Sequence, residues 1–113
     1  MTQGMISIIK DGKVKYKVVC GADGGNVEEI PEAKLLSCNT PEELYNLATE
    51  YECGGEVCLV VSYMDQENKV QHYEKTDDLD HEWVPWYWDQ FLDPNFNPRW
   101  ARGICQHIRM VYT

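Results

Sequence analysis

The sequence predicts an α+β fold. It reads as one domain over residues 1–113: an antiparallel sheet of about five strands, one amphipathic helix and an aromatic-rich segment packed on it. Three observations carry that expectation. β-Branched runs at 5–9 and 13–20 flank Asp11-Gly12, a two-residue hairpin signal because both positions tolerate positive φ. Leu44, Leu47, Ala48 and Tyr51 recur at i, i+3, i+4 and i+7, one stripe of a helix. The unbroken apolar run from Val57 to Met64 has the character of a strand covered on both faces. With 113 residues, 43% of them apolar and 12% aromatic, the chain has enough to build one core, which excludes global disorder.

Taken in order, the first strand is Met5 to Ile9 and the second Lys13 to Cys20. In the second, Val14, Tyr16, Val18 and Cys20 face one way, and Lys13, Lys15 and Lys17 with Val19 face the other. The three lysines are expected to be a solvated face or an edge guard. Gly21, Gly24 and Gly25 end that strand in a loop, and Glu28 to Leu36 reads as a short helix started or interrupted by Pro31. The main helix begins at Asn39-Thr-Pro-Glu-Glu43: Thr40 caps it, Pro41 takes the first position, and Glu43 completes a capping box. Gly54-Gly55 is expected to stop it. The buried strand at 57–64 turns through Asp65-Gln-Glu-Asn-Lys69 into a more polar outer strand, Val70 to Lys75. A short helix is expected around Trp86 to Leu92. Ile104 to Tyr112 alternates as a closing strand. The expected core is Ile6, Ile8, Val18, Leu44, Leu47, Ala48, Tyr51, Val57, Leu59, Val61, Ile108 and Met110.

Charge is unevenly distributed within the net −9. Residues 1–27 carry four lysines against two aspartates, residues 28–93 carry 17 acids against three lysines, and residues 94–113 carry three arginines and no acid. Phosphate neutralisation supplies most nucleic-acid affinity and needs a basic surface, so direct DNA or RNA binding is disfavoured. No apolar run approaches the ~18 residues that cross a bilayer. The N-terminus lacks the basic and apolar regions of a signal peptide. A cytoplasmic protein without membrane contact is the expectation.

Chemistry-bearing motifs are sparse. Cys20, Cys38, Cys53, Cys58 and Cys105 are odd in number and, in an intracellular chain, are expected to be reduced core thiols. They and His72, His81 and His107 form no close pair of the kind tetrahedral zinc sites show, so no metal is expected. Cys20, at a strand end beside a glycine loop, is the best nucleophile candidate, but no basic group or histidine partner is identifiable. The Gly21–Gly25 loop has the glycines of an anion-binding nest, but Asp23 within it would repel phosphate. No catalytic or cofactor motif stands out, and no cofactor is expected.

All four tryptophans lie between Trp83 and Trp100, alternating with carboxylates. Large rings dominate cores and contacts, whereas carboxylates resist burial unless paired. The segment therefore reads as two-faced, with one side packed and the other acidic and wet. Its candidate partner-binding residues are Asp77, Asp78, Asp80, Glu82, Trp83, Trp86, Trp88, Asp89 and Asp93.

From the first hairpin through Cys20-Gly-Ala-Asp23-Gly24 to Asn39-Thr-Pro-Glu-Glu43, the chain resembles a group of small, uncharacterised phage and prophage proteins. Their pattern is a hairpin ending in Asp-Gly-Tyr-Pro-x-Gly before two helices. The resemblance spans roughly the first half of the chain, which departs from the group in having Gly25-Asn26 in place of Tyr-Pro. It implies a mobile-element origin only, since the group has no activity to carry over. Three functions are then open. The first is an inhibitor whose carboxylates stand where phosphates would dock on a basic host protein, with aromatic anchors at the dry centre. The second is an immunity-type or regulatory partner of one toxin or subunit. The third is a ligand binder or enzyme using the glycine loop. The first is favoured, and no enzymatic activity is expected.

Overall fold

The structure, a computed structural model, describes residues 3–20, 24–53, 59–75 and 106–113. Strands β1 (Gln3–Lys10) and β2 (Lys13–Cys20) form the expected hairpin, and the turn residues Asp11 (φ 53°) and Gly12 (φ 77°) both take left-handed conformations. A 3₁₀ helix (Gly24–Glu28), α1 (Glu32–Ser37) and α2 (Pro41–Glu50) follow, then β3 (Leu59–Met64), β4 (Val70–Tyr73) and β5 (Gln106–Tyr112). The sheet order is β4-β3-β2-β1-β5.

The sheet is mixed, not purely antiparallel: β5 runs parallel to β1, with Ile6 beside Arg109 and Ile8 beside Val111. β4 is antiparallel to β3 and ends at the end of the sheet where β1 begins, the end from which β5 also starts. Alternation in the sequence marks 104–112 as a strand but carries no information about its neighbour.

The near face of the sheet holds the helices. Ile6, Ile8, Tyr16, Val18, Cys20, Leu59, Val61 and Val111 pack there against Val27, Ile30, Leu35, Leu44, Tyr45, Ala48 and Cys53. α2 starts as its sequence dictates. Thr40 Oγ1 accepts from the Glu43 amide at 3.1 Å, while the Glu43 carboxylate takes the Asn39 amide at 2.7 Å, one residue earlier than a strict capping box. Leu44 and Ala48 are buried as expected; Leu47 and Tyr51 are half-buried at the margin, and Tyr45 takes a core place, its ring edge-on to Tyr73 at 5.4 Å. Pro31 precedes α1 as its N-cap.

α2 stops at Glu50, before the glycines expected to stop it, which lie outside the described residues. Its end is a Schellman motif: the Cys53 amide donates to the Ala48 carbonyl at 3.0 Å and the Glu52 amide to the Thr49 carbonyl at 2.9 Å, with Glu52 left-handed at φ 59°. The Asp65 turn also forms as read. The Asp65 carboxylate accepts the amides of Glu67 and Lys69 and the Gln71 side chain, and Asn68 takes the left-handed position.

The far face is buried too, although the three described helices all pack on the near one. Met5, Ile9, Val14, Val19 and Val60 are buried on it. A β-bulge between Ile8 and Ile9 sets Tyr16 opposite Ile8 and Val14 opposite Ile9, which takes Val14 off the near face where alternation alone would put it. Two core expectations are corrected at β5. Ile108 and Met110 are each 40% exposed, and Val111 is buried instead. Val111 lies beside Ile8, under the helices, whereas the alternation alone favoured the more apolar-looking face. Val57 and the expected helix at Trp86 to Leu92 lie outside the described residues. Among those described, no helix is long and apolar enough to cross a membrane.

Candidate functional site

The nine residues singled out from the sequence, Asp77, Asp78, Asp80, Glu82, Trp83, Trp86, Trp88, Asp89 and Asp93, all lie outside the described residues. What is described is the acidic surface that precedes them in the chain. Glu28, Glu29, Glu32, Glu42, Glu43, Glu50 and Glu52 are all exposed on the helical layer, where Lys34 is the one basic residue between 24 and 53. The layer is acidic because the helices' inward stripes take the apolar residues, which leaves glutamates to fill the outer positions.

Local electrostatics sorts these carboxylates. Glu42 and Glu43 lie in the first turn of α2, where the helix dipole favours negative charge. Glu50 and Glu52 lie at its C-terminal end, with no basic residue in the last turn, where the dipole disfavours them. Glu52 is unfavourable on a second count. It holds the left-handed C′ position at which a non-glycine residue costs about 1 kcal/mol or more. Two local rules are broken at one exposed residue, and no described residue forms an ion pair with it. Departures of this kind concentrate at functional positions.

The second cluster was not foreseen. Across the far face one row of the sheet is polar: Ser7 stands opposite Lys17, Lys17 opposite Ser62 and Ser62 opposite His72. Ser62 Oγ lies 2.6 Å from His72 Nδ1; the hydroxyl donates there when that nitrogen is unprotonated. Ser7, Lys17 and Ser62 are each 0% exposed. This corrects the lysine stripe, of which only Lys13 is exposed; Lys15 is half-buried, its Nζ 5.3 Å from the Tyr16 ring. The reason is position: β2 is a central strand with both faces covered, so strand-edge logic does not reach Lys17. A wholly buried ammonium persists only when partnered, and Lys17 is engaged in at least one polar or ring interaction. Ser7, Lys17 and Ser62 are sealed from solvent and His72 is half-buried at the outer end of the row, so the chemistry of the inner three is that of a structural polar layer. Its sequence signal was weak: a lone serine and a lysine inside otherwise apolar strands.

The glycine loop is fastened where it is described. Gly24 is buried, and a Cβ at Gly4 would come within 2.5 Å of the Gly24 carbonyl oxygen, so this crossing requires a glycine. Arg109 Nη1 donates to the carbonyls of Val27 at 2.8 Å and Ile30 at 2.6 Å, and His107 Nδ1 lies 3.4 Å from Glu28. These contacts clamp the 3₁₀ helix to β5 and close the described part of the loop. Cys20, the nucleophile candidate, is wholly buried. Cys38 is half-exposed, but burial and then the nearby Glu43 push its thiol up, away from thiolate character. Among the described residues no three His, Cys, Asp or Glu side chains converge to hold a metal.

No protein-family model, curated protein or solved structure matches this chain.

Proposed function

We propose that this protein is a small acidic binding protein that blocks a basic host protein, one that processes nucleic acid or serves in defence. The observation that carries the reading is Glu52, a carboxylate kept on an acidic helical surface against both helix dipole and backbone preference. A surface needed only for solubility has no reason to hold a charge where it costs stability. Carboxylates spaced over such a layer occupy positions that phosphates take on a basic protein, and exposed charges chiefly accelerate encounter. The tryptophans at 83, 86 and 88 supply the large rings that anchor the dry centre of protein contacts. The resemblance to phage and prophage proteins supports a bacterial host cytoplasm as the setting.

The test is a charge-neutralised pair of variants. One replaces Glu50 and Glu52 by Gln; the other replaces Asp77, Asp78, Asp80, Glu82, Asp89 and Asp93 by Asn or Gln. Both should retain the fold, and each should lose association rate with the captured partner and show a flatter salt dependence. Truncating Trp83, Trp86 or Trp88 should instead speed dissociation, with a loss of about 2 kcal/mol or more where the ring fills a pocket. Wild-type association by both charge variants at low salt would remove the acidic surface from the function.

A further inference from the structure

The two edges of the sheet are protected differently. β4 is four residues long and is bracketed by exposed Lys69 and Lys75, devices that discourage strand addition. β5 is seven residues long, keeps an unbroken register with β1, and pairs with no second strand among the described residues. It has no lysine, no proline and no bulge. Its arginine is turned to the carbonyls of Val27 and Ile30, and its half-buried histidine lies beside Glu28. What it exposes is apolar: Ile108 at 40%, Met110 at 40% and Tyr112 at 63%, all on the far-face side.

We propose that β5 is the interface of a homodimer, pairing antiparallel with β5 of a second copy. The sequence of the strand is self-complementary in that arrangement. With the two-fold axis at Met110, Ile108 faces Tyr112 of the second copy, Met110 faces Met110, and Arg109 faces Val111. Every exposed apolar side chain meets another, an aromatic against a β-branched residue at two of the three places, and no like charges oppose. Moving the axis one residue, to Arg109, would set arginine against arginine. Charge distribution favours the same approach. β5 itself carries no acid, and its far-face row of Ile108, Met110 and Tyr112 is uncharged, so two chains of net charge −9 meet there without setting carboxylates of the strand against each other. The arrangement is an isologous contact, closed at two copies.

Sedimentation equilibrium of the full chain tests it. Wild-type protein should sediment at the mass of two chains, and raising salt should strengthen the dimer by screening the repulsion between two acidic copies. Met110→Lys should weaken association by about ten-fold or more while the melting temperature of the protein at low concentration stays unchanged. If that variant does not fold, Tyr112→Asp, at the most exposed place in the strand, takes its part. A wild-type protein at single-chain mass throughout, or a dimer indifferent to both substitutions, overturns the proposal. The sign of the salt effect keeps this contact distinct from acidic-partner binding, which salt weakens.

Discussion

Replacing Glu52 by glycine should make this protein more stable and a poorer binder. The stability gain follows from the end of α2. Glu52 holds φ at 59°, a conformation that costs an L-residue with a side chain roughly 1–2 kcal/mol. Its carboxylate lies at the helix C-terminus with no basic residue in the last turn, which adds about 0.3 kcal/mol at an exposed site. Against these, glycine gives the unfolded chain more freedom, a cost of about 0.5–1 kcal/mol. The net gain is about 1 kcal/mol. The Schellman bonds from Cys53 to Ala48 and from Glu52 to Thr49 are backbone bonds, so the substitution keeps them. Urea unfolding followed by far-ultraviolet circular dichroism measures it: the midpoint should rise by roughly half a molar unit for a slope of about 2 kcal/mol per molar. Glu52→Gln should recover only the dipole part, which separates strain from charge. A Glu52→Gly protein with an unchanged or lower midpoint would mean that the left-handed strain does not exist in the folded chain.

Three further outcomes are expected. Lys17→Met keeps the apolar stem and removes the buried ammonium, so it should cost about 1–3 kcal/mol by stranding polar groups that face it, such as the Ser7 and Ser62 hydroxyls; a urea midpoint at the wild-type value would show that the amine contributes nothing. Thr40→Ala removes the acceptor of the Glu43 amide and should cost about 1 kcal/mol, and an unchanged midpoint at the same slope would mean that the cap is idle. Asp65 has its carboxyl held below the usual range, first by the Lys69 amide and then by the Gln71 side chain. A lowered folded value means stability that is present above the unfolded pKa of about 3.9 and lost as pH falls through the folded value. Asp65→Asn should therefore flatten the pH–stability profile below about pH 4, and superimposable acid limbs would contradict this.

Local signals were legible and long-range ones were not. Asp11-Gly12, Thr40-Pro41 and the Asp65 turn act within a few residues, and the backbone there has few other ways to satisfy its hydrogen bonds. The two-faced burial of β3 was also legible, since only a covered strand tolerates an unbroken apolar run. The β1–β5 pairing was not, because it joins residues about a hundred positions apart, and alternation along one strand carries no information about its neighbour. From that one miss came the error at Ile108 and Met110. The same blindness hid Lys17: three lysines at alternate positions look identical whether the strand is an edge or the middle of a sheet. Glu52 was missed for a subtler reason. Gly54-Gly55 offered a stronger stop signal, and a glutamate at a left-handed position leaves no mark in composition. The nine candidate partner-binding residues rest on sequence alone, while the acidity they were chosen for continues on the described helical layer.

If carboxylates bring the partner in, the rate of association must depend on salt. Capture from a bacterial lysate identifies the partner; its association is then timed at low salt and at about 0.5 M, where the screening length falls to a few ångströms. Wild-type protein should associate fast at low salt and slow steeply as salt rises. The Glu50/Glu52 glutamine variant should start slower and fall less. Equal rates for both proteins at low salt, with the same salt slope, would leave the acidic layer as solubility charge with no part in capture.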